Sequence, residues 1–250
     1  MHILSDPVIV AAVLAAFLLA GFVKGVIGLG LPTVAMGLLG TAMPPVQAAA
    51  LLIVPSLVTN LWQLLAGPSI RAVARRLWPM LAGVIAGTLA GSGLMTGRAG
   101  HWAALGLGIA LIAYAVIGLA AVRFRVPPRR EPWLAPVIGA ATGLVTAATG
   151  VFVLPAVPYL AALGLKKDDL IQALGLSFTV STLALAGALA TASSLQPGEV
   201  GASLLALVPA LVGMAAGGWL RGRVSEAVFR RCFFAGLLVL GAHIAIRAVL

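Results

Sequence analysis

One lysine, Lys24, stands in a glycine-broken apolar stretch, GFVKGVIGLGLP (Gly21 to Pro32). A charge inside a membrane segment costs about 2.5 to 3.5 kcal/mol on insertion scales, so something has to offset it. A bound anion does so if the stretch reaches the membrane interior. Backbone N–H groups freed around Gly25, Gly28 and Gly30, together with a helix N-terminus, would then add donors. A second reading stays open beside it: Lys24 ends a short first span and snorkels to water as one more cationic anchor.

The stretch GAATGLVTAATG (Gly139 to Gly150) is a weaker counterpart of the first. It offers Thr142, Thr146 and Thr149 with Gly143 and Gly150. Threonine hydroxyls donate to anion oxygens without the desolvation of a second charge. They also serve as helix-to-helix or helix-to-backbone bonds, worth about 0.6 kcal/mol each in membrane bundles. Asn60 and Gln63 share a helix face one turn apart, and Ser177, Ser181 and Thr182 make a similar stripe later in the chain. Both stripes fit either a polar path or glue between helices. Gly83, Gly87 and Gly91, and again Gly213 and Gly217, recur every four residues, as close helix packing requires.

Other chemistries find little support. The sequence has no HExxH, no paired intramembrane carboxylates, and no Ser or Cys nucleophile with a plausible nearby base. It lacks a GxxxxGK[ST] loop for ATP. Asp168 and Asp169 directly follow Lys166 and Lys167 at a solvated edge, while His101 and His243 are isolated. The single cysteine, Cys232, excludes an intramolecular disulfide and a cysteine-built metal site, and is expected to pack as a small apolar side chain. No cofactor is implied.

The elements that must position these residues belong in a bilayer. Hydrophobic residues make up 62% of the chain and charged residues 9%, with a mean hydropathy of +1.14; a soluble domain carries about 25% charged residues. The net charge of +10 does not point to nucleic acid, because the basic residues form short clusters between apolar runs without aromatic interleaving. Met1 to Asp6 has no basic n-region, so the first apolar segment is expected to be retained. The partners implied are lipid and a small anion, and a homo-oligomer stays open.

Ordinary spans are expected near residues 46–66, 78–96, 102–122, 170–193, 200–220 and 232–250, each close to the roughly 20 residues that cross hydrocarbon. Pro7 to Leu39 and Trp133 to Leu165 are too long for one span, with Gly, Thr and Pro at their centres. Each reads as two short arms, a thin hairpin or a re-entrant loop. Such backbone survives at membrane depth only under protein or beside a water-filled cavity.

The chain also reads as two related halves. PMLAGVIAG (Pro79 to Gly87) aligns with PALVGMAAG (Pro209 to Gly217), and QAAALLIVPS (Gln47 to Ser56) with QALGLSFTVS (Gln172 to Ser181). If both broken regions return to their starting side, 14 of the 16 basic residues fall on one face, with Arg98 and Arg247 left for the other. A single crossing in each would divide the loops into seven and seven. Lys/Arg bias in short loops sets orientation, so the uneven solution is expected, with both termini outside the cytoplasm. Five segments per half is an odd number, which inverts the second half relative to the first. The expected organisation is a first membrane repeat over 7–122, a cytoplasmic linker over 123–132 and a second repeat over 133–250.

The stretches GFVKGVIGLGLPTVAMGLL (Gly21 to Leu39), TNLWQ (Thr59 to Gln63), TGVFVLPAVPYLAALGL (Thr149 to Leu165) and QALGLSFTVSTLALA (Gln172 to Ala186) together resemble the TauE/SafE, or sulfite exporter, family. The ordered set covers nearly the whole chain. The resemblance implies an inner-membrane transporter of small sulfur-containing anions such as sulfite, sulfoacetate or other organosulfonates, outward in the best-known members. Inverted repeats with a site at their interface imply alternating access. The reading from another class is an intramembrane enzyme or a membrane assembly factor without transport activity.

Orientation is directly measurable. In a Cys232→Ala background, Pro127→Cys should resist an impermeant thiol reagent added outside intact cells, while a cysteine at position 196 should react; labelling at 127 would reverse the assignment.

Overall fold

The computed structural model describes residues 6–95, 100–120, 125–192 and 197–250. Arg98, Arg123, position 196 and the side chain of His101 lie outside the described residues, as does the first part of the expected linker. Among the described residues the fold is all-helical, with ten helices: α1 (Pro7–Ile27), α2 (Leu31–Leu39), α3 (Pro45–Leu65), α4 (Ile70–Ala90), α5 (Gly100–Ala120), α6 (Glu131–Thr149), α7 (Ala156–Ala162), α8 (Lys167–Thr191), α9 (Pro197–Arg221) and α10 (Glu226–Val249).

Seven of them, α1, α3, α5, α6, α8, α9 and α10, are long and apolar enough to cross a membrane. Helix α4 matches them in length, but Arg71, Arg75 and Arg76 occupy its first two turns. It starts eight residues before the expected span, because a helix does not stop where hydrocarbon does. Helix α10 likewise begins six residues early, with Arg230 and Arg231 in its opening turns.

The two interrupted regions have unequal arms. Helix α1 runs 21 residues, about 31 Å at 1.5 Å per residue, whereas α2 has nine residues and spans about 13 Å. In the later region, 19-residue α6 is followed by seven-residue α7. Both long arms end the same way. Gly28 takes φ 79° and donates its N–H to the Lys24 carbonyl, and Gly150 takes φ 72° and donates to the Thr146 carbonyl. A left-handed terminal residue without a Cβ is what ends a helix there. The second break is fully enclosed: Val151, Phe152 and Val153 are buried, and Phe152 packs on Phe178 of α8 with ring centroids 5.3 Å apart. The first break borders open space.

Glycines decide which helices touch. A Cβ added at Gly21 or Gly25 of α1 would collide with backbone of α9 at Ala210 and Met214; one added at Gly139 or Gly143 of α6 would collide with α4 at Met80 and Val84. Those pairs run parallel. The α6 contacts repeat the α1 contacts 118 residues later, against an α9-to-α4 shift of 130. By the same register Gly83 meets Pro136 while Gly213 meets Leu18, so the correspondence holds from both sides. Helices α3 and α8 run antiparallel, with Asn60 opposite Thr182 and Gly67 opposite Gln172. So do α5 and α10, where Gly108 lies against Ala245 and Gly118 against Phe234.

Two polar clamps fix one end of the bundle. Arg76 forks onto Glu131 at 2.7 and 2.8 Å and also donates to the Leu163 carbonyl, joining α4, α6 and the end of α7. The Gln172 amide donates to the Leu64 and Gly67 carbonyls and accepts from the Ser69 N–H, closing the turn between α3 and α4. Cys232, expected inside, is an exposed free thiol beside exposed Arg231, because it falls on the outer face of α10.

Close approach should dominate the response to small substitutions. Gly21→Ala and Gly139→Ala are expected to lower stability in detergent by about 1 to 3 kcal/mol, the usual range for overpacking. Gly187→Ala, with nothing within 4 Å of the new methyl, should leave it unchanged or raise it slightly, as read by thermal unfolding.

Candidate functional site

Lys24 sits one turn before the end of α1, on a helix held against α9 by its flanking glycines, Gly21 and Gly25. Its side chain is buried, with 4% of its surface exposed. The ammonium donates to Thr59 Oγ1 at 3.0 Å and to Asn60 Oδ1, both on α3. Asn60 in turn directs its amide toward Thr182 Oγ1 of α8 at 3.5 Å, so three helices converge on one cation. Among the described residues no carboxylate lies within ion-pairing distance of Lys24. The carbonyl end of α1 supplies part of the compensation, since helix C-termini carry partial negative charge. Two neutral acceptors and a helix end still leave the ammonium without a counter-ion among the described residues.

Below Lys24 a cavity of about 1140 Å³ opens between α1, α3, α5, α7, α8, α9 and α10. Its lining includes five basic side chains, Lys24, Arg125, Lys167, Arg221 and Arg230, and among the described residues no Asp or Glu. Four of the five are exposed, forming a rim at the end where residues 125–130 lie; Lys24 is the buried one. Arg221 is tied down by its Nε, which donates to the Val26 carbonyl at 2.8 Å. The rest of the wall is mostly apolar, with Leu170, Leu174, Met214 and Phe234 among its members. Such a basin concentrates anions by its summed field, and its low-dielectric walls focus that field toward the closed end.

The residues singled out in the sequence divide into those that meet here and those that do not. Lys24, Gly25, Gly28 and Gln63 line the cavity, and Asn60 stands directly behind Lys24. Gln63 donates its amide to the Ile171 carbonyl at 3.1 Å, while its Oε1 is buried without a partner. Gly30 is buried between Val23 and Phe233 as the N-cap of α2 and does not line the cavity.

Thr142, Thr146 and Thr149 are also away from it, each donating its hydroxyl to the carbonyl four residues back at 2.7 to 2.8 Å. In the register of helix contacts, Thr142 occupies the place in α6 that Lys24 holds in α1. Gly143 packs on α4, and Gly150 ends α6 against Met36 and Ala49. Ser177 and Ser181 are fully buried, and neither hydroxyl has a partner. Asp168 and Asp169 lie in the first turn of α8, and His243 is exposed on α10.

Sequence reasoning passed over Thr59 and the rim. Thr59 lies within TNLWQ, but nothing in its type separates it from a helix-bonding threonine until the lysine beside it is seen. Arg125, Lys167, Arg221 and Arg230 were counted as topology anchors, which they resemble in spacing. Their convergence on one basin is a property of the folded bundle.

Removing one acceptor from a buried ammonium should be costly. Asn60→Leu is expected to lower stability by about 1.5 to 3 kcal/mol, the range for hydrogen bonds to charged groups. Adding Lys24→Met should recover part of that loss in a double-mutant cycle followed by thermal unfolding.

A family model described as Sulfite exporter TauE/SafE matches residues 13–244. No curated protein and no solved structure matches the chain. The match takes in α2 to α9 whole and most of α1 and α10, Lys24 and the basic basin included. The chain belongs to the TauE/SafE sulfite exporter family of membrane transporters.

Proposed function

We propose that this protein moves a small sulfur-containing anion, sulfite or an organosulfonate, across the inner membrane by alternating access, and that Lys24 is the charge that receives it. The observation that carries the reading is a buried ammonium with no carboxylate partner among the described residues, at the closed end of a basin whose titratable lining is almost entirely cationic. An anion neutralises the site without protein rearrangement. Thr59 and Asn60 hold the ammonium in place, leaving one N–H for the ligand.

Two repeats, 7–122 and 133–250, joined by the segment 123–132, are the moving parts in this reading. Support comes from the matched registers of α1 on α9 and α6 on α4, and from the antiparallel packing of α3 on α8 and α5 on α10. Copies inverted across the membrane would pack in this way. The two breaks differ in exposure: Gly28 and Leu29 border the basin, whereas Val151 to Val153 are enclosed. That difference is what one end state of an alternating cycle would present. The excess of basic residues at the rim supports an open side in the cytoplasm, with both termini outside it. Gly25, Gly28, Asn60 and Gln63 complete the first binding position, with the threonine-bearing tip of α6 as its counterpart in the opposite state.

Reconstituted protein should carry sulfite or methanesulfonate into and out of liposomes. Lys24→Ala should reduce the initial rate by about tenfold or more, as expected when a charge-assisted contact is lost. A rate equal to that of the parent would remove Lys24 from the pathway.

A further inference from the structure

Polar side chains continue along α3 and α8 past the lining of the basin, and three of their hydroxyls have no protein partner. On α8, Lys167, Leu170, Ile171 and Leu174 line the basin at three- and four-residue intervals. Ser177 and Ser181 prolong that stripe by one and two turns, away from the rim. On α3 the lining residues Gln63 and Thr59 lead in the same manner to Ser56, which shares a face with Asn60. Gly175 packs on the Gln63–Leu64 backbone and Thr182 faces Asn60, so in this antiparallel register Ser177 and Ser181 bracket the level of Thr59 and Asn60, the acceptors of Lys24, and Ser56 lies one turn farther from the rim.

All three are fully buried, and none of their hydroxyl oxygens has a hydrogen-bond partner. The nearby threonines behave differently. Thr59 bonds the Pro55 carbonyl, Thr179 that of Gly175 and Thr182 that of Phe178, each at 2.7 Å. The same escape is open to a serine in a helix, yet these hydroxyls do not take it. Buried polar groups are almost always satisfied, and three along one helix seam that are not mark a place where something else satisfies them. Ser56 and Ser181 also hold the same position in the aligned segments QAAALLIVPS and QALGLSFTVS, so each half contributes one equivalent hydroxyl.

We propose that Ser56, Ser177 and Ser181 form an occluded oxyanion station along the α3–α8 seam, running past the acceptors of Lys24, which takes the anion's oxygens as it leaves the basin. The inference rests on the anion-transport reading above and adds a second position to it. Its chemistry suits passage. Three neutral donors solvate sulfite or a sulfonate head group without adding a charge that would hold it, and transit requires each site to bind strongly enough to accept and weakly enough to release. Lys24 captures; the serines carry the group past the lysine.

The test compares the Ser56→Ala/Ser177→Ala/Ser181→Ala variant with Lys24→Ala and parent protein in liposomes, using sulfite and methanesulfonate. For the serine variant, the maximal rate should fall about tenfold or more while the half-saturating concentration on the basic-rim side stays within about twofold. An unchanged maximal rate would mean that the hydroxyls merely hold water, and would overturn the proposal. Loss of transport in Lys24→Ala with full activity in the serine variant would end this inference and leave the transport reading intact.

If the triple variant does not purify as a folded species, Ser181→Cys in a Cys232→Ala background carries the test. Its modification by a small charged thiol reagent should be slowed by saturating methanesulfonate, which does not react with the reagent. A thiol that never reacts, or one indifferent to methanesulfonate, would refute the station.

Discussion

A positive charge kept away from water with only neutral acceptors for company is the constraint around which this bundle is organised. Lys24 reaches Thr59 and Asn60 because α1 and α3 meet at its depth, and α1 is held there by backbone contact with α9 at Gly21 and Gly25. Asn60 faces both ways, accepting from the lysine and turning its amide toward α8. Any shift of α1, α3 or α8 would therefore change the surroundings of the cation. In a medium where an unmatched charge is expensive, a bound anion at Lys24 would by that sensitivity couple to helix position.

The glycine seams make such a shift affordable in steric terms only along certain directions. Backbones in contact at Gly21, Gly25, Gly213 and Gly217 leave no room for α1 and α9 to approach further, and α4 and α6 are locked in the same manner. The antiparallel contact of α3 with α8 adds hydrogen bonds from Gln63, Gln172 and Asn60 to a backbone approach at Gly175, which lies against Gln63 and Leu64.

Much of this was legible in the sequence, and the illegible part has a physical cause. Membrane class, the broken regions and the oddity of Lys24 follow from composition, spacing and the cost of charge in lipid. Gly83, Gly87, Gly213 and Gly217 announced packing by their period, and they pack. The threonines of α6 could not be assigned, since a hydroxyl bonded to its own helix and one facing a path have the same spacing. The arginines and lysine of the rim hid behind the positive-inside rule, which predicts their side of the membrane but not their convergence. Ser56 drew no notice, lying in an apolar run where one small polar residue carries no pattern.

The two long arms differ in length beyond their shared contacts. By the matching register, Gly28 corresponds to Thr146, yet α6 continues to Gly150, one turn farther than α1. If the two arms alternate as proposed, an arm with an additional turn cannot retrace the other's trajectory, so a pocket formed on the opposite face would differ from the basin in depth and outline. Blockers shaped for one entrance would then fit the other poorly, and the protein would discriminate between them by side.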